Sequence, residues 1–203
     1  MIGREKKEKH TKLPKVVLAS SSEVRIKMLR QYFTDFKNVP HNAEEEKYKT
    51  HGKKPEETVL RIAKEKALSV VAKYPNEMII ASDQILVCED KIISKPKTLD
   101  EGIQNLLFLR NKTHRLVSSI YVMQRQKLYF QQVKNASLFF VNITKKDIEL
   151  YVKNNAKTVL TTVGSYKIEE NSKHQFLSIT DGDLETILGF PIKDLLKKIK
   201  HEK

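Results

Sequence analysis

The sequence predicts an α/β protein built on a mixed β-sheet with flanking helices. Two observations carry this expectation. Segments with helical spacing alternate with short apolar runs along the chain, as in α/β proteins. In the middle, two long strand-like stretches, residues 114–124 and 127–143, follow one another across a short polar turn and read as an antiparallel hairpin.

The elements follow in order. Residues 15–19 (KVVLA) form a short strand, then a polar SSS turn, then a helix over residues 23–33 in which Ile26, Leu29 and Phe33 fall at helical spacing. Ser22 is a suitable N-cap for this helix. Strand, tight polar turn and helix together aim free backbone N–H groups and the positive end of a helix dipole at whatever sits above the turn, a setting that suits phosphate. Residues 39–54, with Glu44, Glu45 and Glu46, read as a charged surface loop. Residues 55–74 have the length and composition of a helix with Pro55 in its first turn. Val59, Ile62, Ala63, Val70 and Val71 draw its apolar stripe, and Lys66 interrupts that stripe. Either the Lys66 stem snorkels to water or its ammonium meets something anionic in a cleft.

Residues 78–87 read as a buried strand, yet Asp83 stands in its middle between Ser82 and Gln84. Burying an unpaired ionised acid costs several kcal/mol, so Asp83 needs a partner or is delivered to a cleft. A turn at residues 89–91 follows, and then IISKP. Thr98 and Glu101 suggest a capping box for a helix carrying Ile103, Leu106, Leu107 and Leu109. After the hairpin, Thr144 and Asp147 cap the helical stretch ITKKDIELYVKN. Residues 162–170 (TVGSYKIEE) look strand-like, FLSITDGDLETILGFP follows, and IKDLLKKIK closes the chain as a helix. For Asp181 and Asp183, turn geometry around Gly182 is the simplest account.

Composition bounds the function. The 203 residues, 39% hydrophobic and 31% charged, suit a folded soluble protein, read as one domain over residues 15–203 behind a basic leader, residues 1–14. No apolar run approaches the ~20 residues that cross a bilayer, and the first fifteen residues lack the apolar centre of a secretory signal, so a cytoplasmic protein without membrane partners is expected. The single cysteine, Cys88, lies in an apolar strand pattern and reads as a small hydrophobe. The net charge of +13 invites a nucleic-acid reading, but the lysines are spread along the whole chain without a recognisable nucleic-acid motif. A lysine-rich solvated surface, or a preference for anionic small molecules such as nucleotides, accounts for the charge, and no specific nucleic acid is expected.

Arg25, Lys66, Lys95, Asp83 and the Ser20 to Ser22 turn stand out as polar groups attached to apolar elements. Cations spaced around one carboxylate suit phosphate chemistry, in which cations and a divalent metal screen a polyphosphate and the carboxylate positions metal or water. A structural ion pair between Asp83 and Lys95 or Lys66 is the other reading of the same residues.

The stretch LASSSEVRIKML (residues 18–29) resembles the opening motif of the Maf family of nucleotide pyrophosphatases. RIAKEKA (61–67) and ASDQILVCEDKIISKP (81–96) resemble that family's lysine helix and its strand-borne Asp ending in a Lys-Pro pair. LLFLRNKTHRLVSSIYV (106–122) is similar to its helix, turn and His-led strand, and VGSYKIEE with ITDGDLETILGFP to its two C-terminal blocks. The order is collinear from Val16 to Leu196. The resemblance implies a two-lobed, inosine triphosphatase-like fold around an elongated mixed sheet, with the active site in the central cleft. It also implies hydrolysis of a nucleoside triphosphate to the monophosphate and pyrophosphate, assisted by Mg2+ or Mn2+, and a homodimer, a state common among family members. Asp83 matches the family's proton acceptor for the attacking water, close to the metal. Arg25, Lys66 and Lys95 match its phosphate-binding cations, and Ser20 and Ser22 its phosphate-facing turn. One of Glu45 and Glu46 matches a loop acid, and Glu46 is taken as the metal ligand beside Asp83.

Three positions flank the base in this family, occupied here by Val24, Gln84 and Glu169. Gln and Glu resemble the subgroup acting on 7-methyl-GTP; Arg, Thr and Gln mark the subgroup acting on dTTP and UTP. A carboxylate at Glu169 can accept hydrogen bonds from guanine N1–H and its amino group, whereas uracil and thymine offer one N–H. Val24 departs from the subgroup's Trp, whose face would attract the cationic methylated ring. A modified or non-standard nucleotide, 7-methyl-GTP first, is therefore the expected substrate. The competing expectations are a dTTP/UTP pyrophosphatase of the same family, and a non-catalytic nucleic-acid or division-related regulatory protein that keeps the fold.

Overall fold

A computed structural model describes residues 14–49 and 54–202. All but the last residue of the expected leader, and part of the expected charged loop, lie outside this range.

The chain runs β1 (Val16–Ala19), α1 (Glu23–Arg30), β2 (Phe36–Val39), a 3-10 turn (Glu45–Tyr48), α2 (Pro55–Val71), β3 (Met78–Cys88), β4 (Lys91–Ile93) and α3 (Leu99–Leu109). It continues with β5 (Lys112–Gln124), β6 (Lys127–Phe140), α4 (Lys145–Asn154), α5 (Ala156–Thr161), a second 3-10 turn (Ile168–Glu170), α6 (Asn171–His174), β7 (Leu177–Asp181), α7 (Leu184–Ile187) and α8 (Lys193–His201). One seven-stranded mixed sheet results, in the order β2-β1-β3-β5-β6-β7 with β4 beside β3. β1 pairs in parallel with β2 and β3, and the other pairings are antiparallel.

Local sequence explains much of this. Ser22, Thr98 and Thr144 each accept a backbone N–H three residues on, from Arg25, Glu101 and Asp147, and so cap α1, α3 and α4. The turns at Glu89–Asp90 and Arg125–Gln126 hold both residues at positive φ, the two-residue geometry whose twist suits adjacent antiparallel strands. β2, β4, α5, α6, β7 and α7 are additional to the expected elements. The strand expected over residues 162–170 does not form. Ser165 sits in the left-handed region (φ 59°), which breaks an extended run, and Ile168–Glu170 closes as a 3-10 turn instead.

The long strand β3 sorts its side chains by parity. Ile79 and Ala81 pack with Ala63 and Ala67 of α2, while Ile80 packs with Leu29 of α1 and Leu195 of α8. Further along, Ile85 and Val87 meet Val59 of α2, and Leu86 joins the cluster of Leu106, Leu138 and Phe140. Between these clusters lies a polar band, buried Ser82 and Asp83 with half-buried Gln84 on β3 beside buried Ser118 and Ser119 on β5, in the register Asp83↔Ser119 and Gln84↔Ser118. The apolar cores thus divide on either side of a polar centre. No helix among the described residues is long and apolar enough to cross a membrane.

Candidate active site

Asp83 and Gln84 of this band line a cleft that opens to solvent, together with residues of α1, α2, α7 and the 3-10 turns. Asp83, 4% exposed, turns toward α2, where Lys66 is 3% exposed. The Lys66 ammonium donates to Asp83 Oδ1 at 2.6 Å and meets Glu45 Oε1 at 2.9 Å. Lys66 therefore does not snorkel; its ammonium is the hub of two carboxylates. Asp83 Oδ2 is buried and has no hydrogen-bond partner among the described residues.

Glu45, and not Glu46, is the loop acid of the cleft. A 3-10 turn advances about 120° per residue, so neighbouring side chains on it face different ways. Glu45 turns inward to Lys66, whereas Glu46 is 79% exposed and pairs with Lys49 at 2.7 Å. Burial alone would raise the Glu45 carboxyl, but Lys66, by charge and hydrogen bond, with Lys49 and Lys95, holds it below the usual carboxylate range. Glu46, expected as the metal ligand beside Asp83, is not among the residues lining the cleft and pairs with Lys49 instead.

Arg25 leaves the first turn of α1 and is clamped by two carbonyls, donating from Nε to Gly189 O at 2.9 Å and from Nη1 to Ser82 O at 2.7 Å. Burial pulls its pKa down while Asp83 and Glu45 pull it up. Gly189 is at φ +78°, and a Cβ there would lie 3.2 Å from the Gln84 amide and 3.3 Å from Arg25 Nη2. A side chain at this point would thus press on both cleft residues as well as strain the turn. Ser22 lines the cleft, but Ser20 is buried beneath the turn, accepting from Ser22 N at 3.1 Å. Lys95 sits at the mouth, within the field of Glu45, Arg25, Lys66 and Asp83.

Val24, Gln84 and Glu169 all line the same cleft, Glu169 on the second 3-10 turn. Gln84 Nε2 donates to Ser118 Oγ, Thr186 O and Ile187 O at 3.0, 3.0 and 2.9 Å. Tyr166 is the only aromatic side chain lining the cleft among the described residues, and its hydroxyl is hydrogen-bonded to His114 Nε2 of β5. Burial alone pushes His114 down to about 4, so it is neutral at ordinary pH.

Several contributors were not anticipated from the sequence. Lys49 and Lys167 also line the cleft, which brings its cations to Arg25, Lys49, Lys66, Lys95 and Lys167 against the acids Glu45, Asp83 and Glu169. Each is a close chain neighbour of an expected residue, four after Glu45 and two before Glu169. Ser82, Ser118 and Gly189 act through long-range contacts that leave no local sequence pattern. Asp183 is structural: it caps α7, accepting from Thr186 N at 2.8 Å, while Gly182 at φ +90° lies against the Ala136 backbone.

The model of the Maf-like protein family matches residues 15–202. The chain belongs to the Maf family. A relative from Ruegeria sp. strain TM1040, named nucleoside triphosphate pyrophosphatase, is 33% identical over 185 residues, 89% of this chain and 92% of the relative. A relative from Rhizobium etli, named 7-methyl-GTP pyrophosphatase, is 31% identical over 191 residues, 92% of this chain and 96% of the relative. Among solved structures, the Staphylococcus aureus Ham1 protein has a TM-score of 0.51 at 17% identity, with 93% of this chain and all of the other covered. That likeness shows a shared fold, helices around a mixed β-sheet.

Proposed function

We propose that this Maf-family protein hydrolyses a nucleoside triphosphate between the α and β phosphates, releasing the monophosphate and pyrophosphate. The observation that carries the reading is the state of Asp83: a buried carboxylate with one oxygen fixed by Lys66 and the other free, on the floor of a cleft rich in cations. A purely structural ion pair would use both oxygens, because a buried acceptor left unpaired costs about 1–3 kcal/mol. The names of the relatives support the same activity.

In this reading Arg25, Lys66 and Lys95 take the phosphate oxygens, and Ser22 and the N-terminus of α1 receive them at the turn. Arg25 is held in place by the Gly189 and Ser82 carbonyls, so its orientation is set before substrate arrives. Asp83 Oδ2 accepts the proton of the attacking water or binds a cation. The family implies a divalent metal, and the residues suit a hard cation: Asp83 Oδ2 and Glu45 would be its oxygen donors. Among the described residues no group of three or more His, Cys, Asp or Glu side chains gathers, so phosphate and water would complete the shell. When bound, such an ion neutralises charge developing on the phosphates.

For the base, the reading favours a guanine nucleotide, 7-methyl-GTP first. Glu169, which lines the cleft, can accept from two guanine donors. Reaction in 18O-labelled water with Mg2+ or Mn2+, over 7-methyl-GTP, GTP, ITP, UTP, dTTP and CTP, tests both parts. Pyrophosphate as product, with the label in one product only, supports a single hydrolytic cut between α and β phosphates. Orthophosphate as first product contradicts it, and a pyrimidine triphosphate as best substrate contradicts the guanine reading.

A further inference from the structure

One side of the cleft hangs on a single polar tether. Residues 161–169 supply eight of the residues lining the cleft, Lys167 and Glu169 among them. Between residues 163 and 169 the backbone hydrogen bonds are local, such as Ser165 N to Thr162 O and Glu170 N to Lys167 O. Among the described residues, the one side-chain hydrogen bond that ties this stretch to another element joins the Tyr166 hydroxyl to His114 Nε2 on β5. Both partners are buried, Tyr166 8% and His114 2% exposed, and their rings meet edge-on with centroids 5.5 Å apart.

The protons of this pair can be placed. Burial holds the Tyr166 hydroxyl above the usual tyrosine range, so it keeps its proton, and a buried proton needs an acceptor. Neutral His114 has one N–H and one lone pair. With the hydrogen on Nε2, the Tyr166 proton and the Nδ1 lone pair would both go unpaired, since Nδ1 has no partner among the described residues. With it on Nδ1, only that N–H goes unpaired. Each unpaired buried group costs about 1–3 kcal/mol, which decides for the second arrangement.

We infer that His114 is a positioning residue for the nucleotide site: its Nε2 accepts the Tyr166 proton, its hydrogen rests on Nδ1, and this bond seats the wall that carries Lys167 and Glu169. The inference rests on reading the cleft as a nucleotide site. His114 acts there only through Tyr166. Without the bond, Val163 and Ile168 still pack against the core, but apolar contact is non-directional and does not fix where Lys167 and Glu169 stand.

Two measurements on the intact protein test this without requiring turnover. Imidazole 15N resonances, with the His114 signals identified by their loss in His114→Leu, should show Nε2 unprotonated and Nδ1 protonated. Calorimetric binding of GMP and UMP, followed with whichever binds wild type more tightly, should weaken about threefold to tenfold in Tyr166→Phe and in His114→Leu, the range one hydrogen bond spans. The double variant should bind no more than about twofold less tightly than the weaker single one, because both changes cut the same bond. His114→Gln, which keeps a side-chain oxygen able to accept, should recover most of the loss. A merely structural contact would lower the melting temperature and leave the affinity of the folded protein unchanged. If His114→Leu does not fold, Tyr166→Phe, which removes one oxygen, decides the binding, and the His114 signals are identified from His114→Gln. A proton on Nε2, binding by Tyr166→Phe within about twofold of wild type, additive losses in the double variant, or no binding of either monophosphate by wild type overturns the inference. Weakened, non-additive binding without hydrolysis of any triphosphate counts against the proposed activity and leaves the tether standing; hydrolysis with unchanged binding in Tyr166→Phe does the reverse.

Discussion

Replacing Lys66 with Met removes the hub of the cleft while keeping most of its volume. Lys66 and Asp83 are 3% and 4% exposed and joined at 2.6 Å, so this is a buried pair and not a surface one. The distinction decides the magnitude. Exposed pairs contribute ~0–1 kcal/mol, whereas breaking a buried pair by deleting one partner costs ~3–5 kcal/mol, because a charge is left without compensation. Asp83 loses its one side-chain hydrogen bond among the described residues, where its Oδ2 has no partner. Glu45, 29% exposed, can turn to water and adds little. In a chain of this size each kcal/mol moves the melting temperature by about 2–4 °C, so Lys66→Met in chelator should melt roughly 6–20 °C below wild type. Adding Asp83→Asn to Lys66→Met removes the stranded charge and should recover at least about half of that loss. Thermal unfolding by circular dichroism reads both. A single variant melting within about 2 °C of wild type, or a double variant no more stable than the single, would refute the reasoning.

Glu45→Gln should lower kcat/KM by at least about tenfold, a loss typical of removing a charge from a metal or phosphate site, while Glu46→Gln stays near wild type; equal effects would contradict the inward and outward placement of the two acids. His114 has its folded pKa depressed, so its contribution to stability is present above the unfolded value of 6.5 and is lost as pH falls toward about 4. The stability gap between wild type and His114→Gln, measured by urea unfolding, should therefore shrink by about 3 kcal/mol from pH 7 to pH 4; a constant gap refutes this. Gly189→Ala should cost ~1–3 kcal/mol through backbone strain at φ > 0 and also raise KM through pressure on Gln84 and Arg25; a change in stability without one in KM would separate the turn from the site.

Those features written in local sequence were legible without the structure. Ser22, Thr98 and Thr144 announce helix starts because capping needs only residues three apart. Asp83 and Lys66 announce a cleft because a charge inside an apolar pattern requires compensation, and the structure joins the two. Residues 162–170 were misread because their alternating pattern suits a strand, while the left-handed Ser165 that interrupts it has no distinctive residue type. The choice between Glu45 and Glu46 was beyond the sequence, since two adjacent identical acids differ only in the direction a single turn gives them. Ser118, Gly189 and the α7 carbonyls were equally hidden: their role is to fix Gln84 and Arg25 from positions up to 164 residues away in the chain.

The central claim is that Asp83, held on one oxygen and free on the other, turns a cationic cleft into a site of triphosphate hydrolysis. Pyrophosphate release from the best nucleotide substrate, with Mg2+ or Mn2+, measured side by side for wild type and Asp83→Asn, tests it most directly. The account predicts release by wild type and a loss of at least about a hundredfold in kcat for the variant, with its folded state intact by circular dichroism. Release by Asp83→Asn at a rate near wild type would contradict it.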